Sequence, residues 1–82
     1  MKKMPILEIA WVDTCSRGLW DTRENYAETT PIRCHSIGYL LKQDKNKIIL
    51  VQSQNFSSGN VVDAVVIPRV CVKRIRRVKG LL

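Results

Sequence analysis

The chain has 82 residues, which is enough for one small domain with one hydrophobic core. Its hydrophobic share of 45% and charged share of 26% are those of an ordinary folded domain, and they exclude a disordered chain or a disulfide-dominated miniprotein. No apolar run approaches the roughly 20 residues of a membrane span, so we expect neither a span nor a signal peptide. The three cysteines, Cys15, Cys34 and Cys71, form no Cys-x-x-Cys pair, which favours a reducing cytoplasm as the location.

A first β-strand is predicted over residues 6–12, which are rich in β-branched and aromatic side chains. Glu8 is the only charged residue in this segment. Turn-forming residues follow at 13–18 and end the strand.

A long polar loop is predicted over residues 21–30. A helix of about two turns beginning at Asp21 is the alternative, because Asp21 and Glu24 approximate a capping box. The large side chains here are Trp20 and Tyr26, and we expect them to hold the loop against the body of the domain rather than to contact a ligand.

A β-hairpin is the strongest local prediction. Residues 32–41 and 47–52 are two apolar runs, and the polar residues at 43–46 include the Asp and Asn typical of a turn. Two antiparallel strands are therefore expected in the middle of the chain.

A further strand is predicted over residues 61–67 because of its density of valines. A polar stretch at 53–60 precedes it, and Pro68 ends it. The last segment, residues 70–78, has apolar residues in steps of three after Val72, a spacing that fits neither a regular strand nor a full helix.

These elements predict a mainly all-β fold, a small barrel or sandwich of about five strands with a long loop or short helix after the first strand. An open sheet with valine-rich edges would present unpaired backbone groups, so closure into a barrel or edge-to-edge assembly is physically favoured. We expect residues 1–79 to form a single β-barrel domain and residues 80–82 to form a tail.

Charge is concentrated at the C-terminal end of the chain. Residues 1–67 hold eight basic and seven acidic residues and carry a net charge of +1, whereas residues 68–82 hold six basic residues and no acid. A basic block of this kind attracts polyanions. Three interpretations stay open: contact with nucleic acid, contact with an acidic protein or a self-assembly partner, or improved solubility without a binding role.

Two stretches resemble the motifs of a known family. Residues 38–50 contain a glycine at 38, an aspartate turn at 44 and an asparagine at 46, and are similar to the first motif of Sm-like proteins. Residues 66–75 are similar to the second Sm motif and to the end of SH3-like barrels.

The resemblance implies a small barrel in which a short 3₁₀ turn joins the last two strands. It also implies that Val72 and Ile75, three residues apart, return to the core, and that a uridine-binding pocket of the Sm type would use the turns around Asp44 and Asn46 and between the last two strands. The chain also looks like short phage and prophage proteins, which implies no activity by itself.

Catalysis has little support in the sequence, since no phosphate loop, zinc-protease, nucleophile-elbow or dinucleotide motif is present. His35 is the only histidine. Its neighbour Cys34 would project from the opposite face of a strand, so the two are not expected to act as a nucleophile and its base. Cys15 and Cys71 are expected to be structural, and we expect no metal site, no cofactor and no enzymatic activity.

The aromatic residue of most interest is Phe56, which lies in a polar loop. Exposed, it could stack on a base or anchor a partner, and folded back it would cover the end of the barrel. The aromatic residues of the predicted strands, Trp11 and Tyr39, are expected in the core or the barrel wall.

The leading hypothesis is a non-enzymatic barrel, expected to be a homo-oligomer, that contacts nucleic-acid backbone and no membrane. The candidate binding residues are Arg69, Lys73, Arg74, Arg76, Arg77 and Phe56. The alternative is a structural or adaptor component of a phage assembly without nucleic-acid binding, and an acidic protein stays open as a partner.

Overall fold

The computed structural model describes residues 3–13 and 20–79. The strands of this part of the chain are β1 (Ile6–Asp13), β2 (Ile32–Gln43), β3 (Lys47–Gln54), β4 (Val61–Pro68) and β5 (Val72–Val78). A short helix, α1 (Arg23–Ala27), lies between β1 and β2, and a 3₁₀ turn (Arg69–Cys71) joins β4 to β5. The prediction of an all-β fold is confirmed.

All five strands belong to one antiparallel sheet with the order β4-β3-β2-β1-β5. Within the described residues no hydrogen-bonded ladder joins β4 to β5, so the sheet is not closed and these two strands are its edges. Side chains from strands that are not neighbours nevertheless share one core.

The core is small and apolar. Its buried members come from β1, β3 and β4, and they are Leu7, Ile9, Ile48, Leu50 and Ile67. Half-buried side chains pack against them, namely Trp11, Leu40, Val65 and Val72. Full burial of one such aliphatic side chain contributes about 1.5–3 kcal/mol. Of the two residues expected to return to the core, Val72 does so, whereas Ile75 is 38% exposed on the edge strand.

Strand β2 is long because its first part pairs with β1 and its last part with β3, and Tyr39 pairs with both. Gly38 lies at the change of partner. A Cβ on this residue would lie 3.0 Å from the carbonyl oxygen of Val51 and 3.2 Å from Cβ of Leu50. The register with β3 then shifts at Leu41, which forms a bulge.

The predicted hairpin is confirmed as β2 and β3. Asp44 stabilises its turn, since one carboxylate oxygen accepts hydrogen bonds from the backbone N–H groups of Asn46 and Lys47 at 2.8 and 2.9 Å. Strand β3 extends two residues beyond the predicted end, to Gln54.

Helix α1 is shorter than the predicted alternative and begins later. Thr22 is its N-cap, and the Thr22 hydroxyl accepts a hydrogen bond from the N–H of Asn25 at 3.1 Å. Asp21 instead accepts hydrogen bonds from the Thr22 N–H and the Asn25 side chain. The helix has no buried residue, and Trp20 is fully exposed, so the prediction that Trp20 holds this loop against the body is wrong.

Part of the predicted organisation lies outside the described residues: most of the turn at 13–18, Cys15, and the tail at 80–82. Across residues 3–13 and 20–79, no helix has the length and apolar character needed to cross a membrane.

Candidate nucleic-acid interface

Two of the predicted basic residues, Arg74 and Arg76, lie on the same face of the sheet. They pair with Ala10 and Glu8 of β1. Since side chains alternate between the two faces of a strand, residues two positions apart project to one side. Both arginines are exposed. Strand β5 therefore presents their guanidinium groups together.

The other two predicted basic residues of β5, Lys73 and Arg77, take different positions from this pair. The register shifts between Ala10 and Trp11 of β1, which leaves Lys73 as the extra residue. Arg77 pairs with Leu7, whose side chain is in the core, so Arg77 follows the opposite side of the strand. The basic block of the sequence is thus divided between the two faces.

Strand β2 adds two residues to the side that carries Arg74 and Arg76. Arg33 pairs with Val12 and His35 pairs with Ala10, and both belong to the same alternation as Glu8. We call this surface the basic face, formed by Arg33, His35, Arg74 and Arg76. Its residues are exposed, and the side chains of His35 and Arg76 are 55% and 70% exposed.

Glu8 lies in the middle of the basic face. One of its carboxylate oxygens accepts a hydrogen bond from Nη2 of Arg76 at 2.7 Å. The other lies 2.9 Å from Nε2 of His35. The Glu8 side chain is only 14% exposed, whereas both of its partners are mostly exposed. The carboxylate therefore joins β1 to its neighbours on both sides.

The pKa of Glu8 is lowered from its ordinary value of 4.5, mainly by the hydrogen bond from Arg76 and next by the hydrogen bond from His35. Partial desolvation acts in the opposite direction and is outweighed. Glu8 is thus ionised at neutral pH and offsets one of the arginine charges of the basic face.

Arg69 lies away from the basic face and is engaged within the fold. Its Nε donates to the carbonyl of Asp44 at 3.0 Å, and its Nη2 donates to Oε1 of Gln43 at 3.1 Å. Its backbone N–H donates to the carbonyl of Asn46 at 2.9 Å. Arg69 thereby holds the 3₁₀ turn against the turn between β2 and β3.

The Asp44 carboxylate is engaged as well. Backbone N–H groups of Asn46 and Lys47 bind it and lower its pKa below the ordinary value of 3.8. The Sm resemblance implied a base pocket on this turn. In the structure the Asp44 carboxylate accepts hydrogen bonds from the backbone of the turn itself.

Phe56 lies in the turn between β3 and β4 and is 62% exposed, so it is not folded back over the sheet. Asn55 shapes this turn by accepting hydrogen bonds from the N–H groups of Ser57 and Ser58. The hairpin of β3 and β4 occupies the opposite edge of the sheet from β5. Phe56 thus belongs to a different surface from the basic face.

The thiols and the histidine are not gathered into one site in the part of the chain that the structure describes. Cys34 and Cys71 are free and half-buried, and Nε2 of His35 faces Glu8. Across the described ranges, no group of three His, Cys, Asp or Glu side chains is arranged to hold a metal ion.

No family model, curated protein or solved structure matches this chain.

Glu8, Arg33 and His35 were not predicted to lie at the interface. The available signal was Glu8 itself, the only charge in an otherwise uncharged predicted strand. Its partners could be identified only from the pairing of β1 with both β2 and β5.

Proposed function

We propose that the protein is a non-enzymatic nucleic-acid-binding module of the small SH3-like or Sm-like barrel type, acting in the cytoplasm as a homo-oligomer. Its basic face contacts the phosphate backbone. The observation that carries this proposal is the juxtaposition of Arg74 and Arg76 from β5 with Arg33 and His35 from β2 on one exposed surface. The strand order and the 3₁₀ turn before β5 support the barrel assignment.

Guanidinium groups suit this role because they are permanently charged and present several N–H donors to phosphate oxygens. Contacts of this kind fix a protein on the backbone without reading base sequence. Binding should therefore be weakly sequence-selective and should release counterions, so that it weakens steeply as salt is added.

The test is a fluorescence titration of the protein, freed of co-purified nucleic acid, against single-stranded RNA and duplex DNA. We expect affinity to fall by at least tenfold between about 50 and 200 mM salt. A variant with Arg33→Gln and Arg74→Gln removes two charges of the basic face and leaves both contacts of Glu8 in place. Its salt slope should be shallower by about two units on a log-log scale, near one unit for each lost phosphate contact.

The matched control carries Lys42→Gln and Lys45→Gln, which remove two exposed charges near the turn between β2 and β3. Equal losses in both double variants would show that net charge, and not the basic face, drives binding. Affinity that does not change with salt would contradict the electrostatic mechanism. Equally tight binding to polyglutamate would point to an acidic protein as the partner.

A structural or adaptor role in an assembly is the second candidate, and the exposed edge of β4 favours it. Val62 and Val66 on this edge strand are each 54% exposed, and Val61 is 37% exposed. A discrete oligomer that binds neither single-stranded RNA nor duplex DNA would support this role. A monomer that binds either of them would exclude it. Light scattering combined with the same titrations separates the two candidates.

A further inference from the structure

Glu8 places a negative charge at the centre of the surface that is otherwise basic. Its register partners are Ile37 on β2 and Arg76 on β5, with His35 diagonally across β2. It is also the least exposed member of its ion-paired cluster. A carboxylate in this position occupies donors of Arg76 and His35 that an anionic ligand of the face would otherwise use.

We propose that Glu8 is an intramolecular competitor for the phosphate-binding site of the basic face, and that a phosphodiester group of the ligand replaces its carboxylate on Arg76 and His35. This inference rests on the proposed nucleic-acid function and assigns the residue that limits its affinity. Glu8 adds no contact to the ligand and acts by holding the donors.

The geometry gives the physical basis for competition. A carboxylate and a phosphodiester both present anionic oxygens to the same N–H donors, and such charge-assisted hydrogen bonds are about twice as strong as neutral ones. Nη2 of Arg76 donates a hydrogen bond to the Glu8 carboxylate at 2.7 Å, and Nε2 of His35 lies 2.9 Å from its other oxygen. A phosphate that approaches these atoms must therefore compete with the Glu8 carboxylate for them.

The exposure of the three side chains shows how the exchange can occur. Arg76 and His35 are 70% and 55% exposed, so their end groups can turn toward solvent without disturbing the core. Glu8 is fixed on β1, between β2 and β5. The Glu8 carboxylate thus stays in place while Arg76 and His35 transfer their contacts from it to the ligand.

The variant Glu8→Gln tests the proposal because it retains the shape and the acceptor oxygen but removes the charge. We expect it to bind a fluorescein-labelled single-stranded oligonucleotide about tenfold more tightly than the wild type at about 0.1 M salt, with a salt slope steeper by about one unit, as for one additional phosphate contact. The matched control is Glu24→Gln on helix α1, which removes the same charge from an exposed position away from the sheet.

Equal affinities of the Glu8→Gln and Glu24→Gln proteins, or weaker binding by Glu8→Gln, would overturn the proposal. A purely structural role for Glu8 predicts that outcome, with a loss of thermal stability and no gain in affinity. If the Glu8→Gln protein does not fold, side-chain NMR of the wild type replaces it. The Nη and Nε2 resonances of Arg76 and His35 should shift together on addition of the oligonucleotide, and unchanged resonances at saturation would refute the exchange.

The result also separates this proposal from the proposed function. The wild type could bind, and the Arg33→Gln and Arg74→Gln changes could weaken that binding, while Glu8→Gln brings no gain in affinity. This outcome would overturn the competition by Glu8 but not the proposed function. An absence of binding in every variant would overturn both proposals. Binding that is seen only after Glu8→Gln would support the competitor role and contradict the function of the wild-type face.

Discussion

At the scale of single residues, Glu8 couples the stability of the sheet to pH. Its pKa in the folded protein lies below its ordinary value of 4.5 because Arg76 and then His35 hydrogen-bond to the ionised form. When folding lowers the pKa of an acid, the ionised form stabilises the fold above the unfolded pKa. That stabilisation is lost as the pH falls through the folded pKa.

We therefore predict how the difference in free energy of unfolding between wild type and Glu8→Gln depends on pH. It should shrink on acidification from about pH 5 to about pH 3. Urea denaturation followed by circular dichroism at each pH measures it. Asp44 also has a lowered pKa, but it is present in both proteins, so its contribution cancels in the difference. A difference independent of pH would contradict the ion pairing.

At the scale of elements, the course of β2 depends on Gly38. This strand changes partner from β1 to β3 next to Gly38, where the backbone approaches Val51 closely. A methyl group there would meet backbone and Cβ atoms of β3, which cannot move aside as a flexible side chain can.

We expect Gly38→Ala to reduce the free energy of unfolding by about 1–3 kcal/mol, the usual range for overpacking. Chemical denaturation measures this change. Ser53→Ala, at an exposed position of β3, is the control and should have little effect. Equal stability of the Gly38→Ala and wild-type proteins would show that β2 and β3 can separate enough to accept the methyl group.

Arg69 shows how elements determine the availability of a charge. The sequence places it with the other basic residues near the C-terminus, and we expected it at the binding surface. In the structure its guanidinium group binds the turn formed by Gln43 and Asp44. A residue 25 positions away from Asp44 finds this partner only because the 3₁₀ turn lies beside the turn between β2 and β3.

At the scale of the whole molecule, the chain exposes more surface than its size requires. Its radius of gyration is 16.3 Å, compared with about 12 Å for a compact domain of this length. Its accessible surface is 6666 Å², compared with about 5,000 Å² for a typical monomer of this mass. The open sheet accounts for part of this excess, since both edge strands are exposed along most of their length. A partner that covers an edge would reduce it.

The edge of β4 is the more apolar of the two. Asp63 has a φ of 58°, which interrupts the regular strand and locally protects it against pairing with another strand. Val62 and Val66, on either side of Asp63, are nevertheless each 54% exposed. We predict that the double change Val62→Lys and Val66→Lys converts the proposed oligomer to a monomer and preserves the fold, because neither side chain is in the core. Light scattering and circular dichroism measure the two properties.

Ile37→Lys is the matched control for this prediction. Ile37 is 57% exposed, but it lies on β2, where it pairs with Glu8 of β1, and β3 separates β2 from the edge strand β4. It should leave the oligomer intact. An oligomer that survives the two changes on β4, or a wild-type protein that is already monomeric, would contradict assembly through this edge.

Local physics explains what could be predicted from the sequence. The valine-rich and isoleucine-rich runs favour strands, Asp44 favours a tight turn, and the basic residues after Pro68 create a positive end, all of which depend on neighbours along the chain. The strands began within a residue of their predicted positions, except that β5 begins at Val72, after the 3₁₀ turn. The length of helix α1 was not predicted, because capping by Thr22 competes with capping by Asp21.

Only the tertiary structure decided which charges act together and whether the sheet closes. Glu8 and Arg76 are 68 positions apart, and their contact depends on the antiparallel pairing of the first and last strands. The bulge at Lys73 sets which basic residues share a face, and a one-residue change of register moves every following side chain to the other side of the strand. Sequence alone determined the strands and the positive end, since propensity and charge are local, whereas register, bulges and edges depend on long-range pairing.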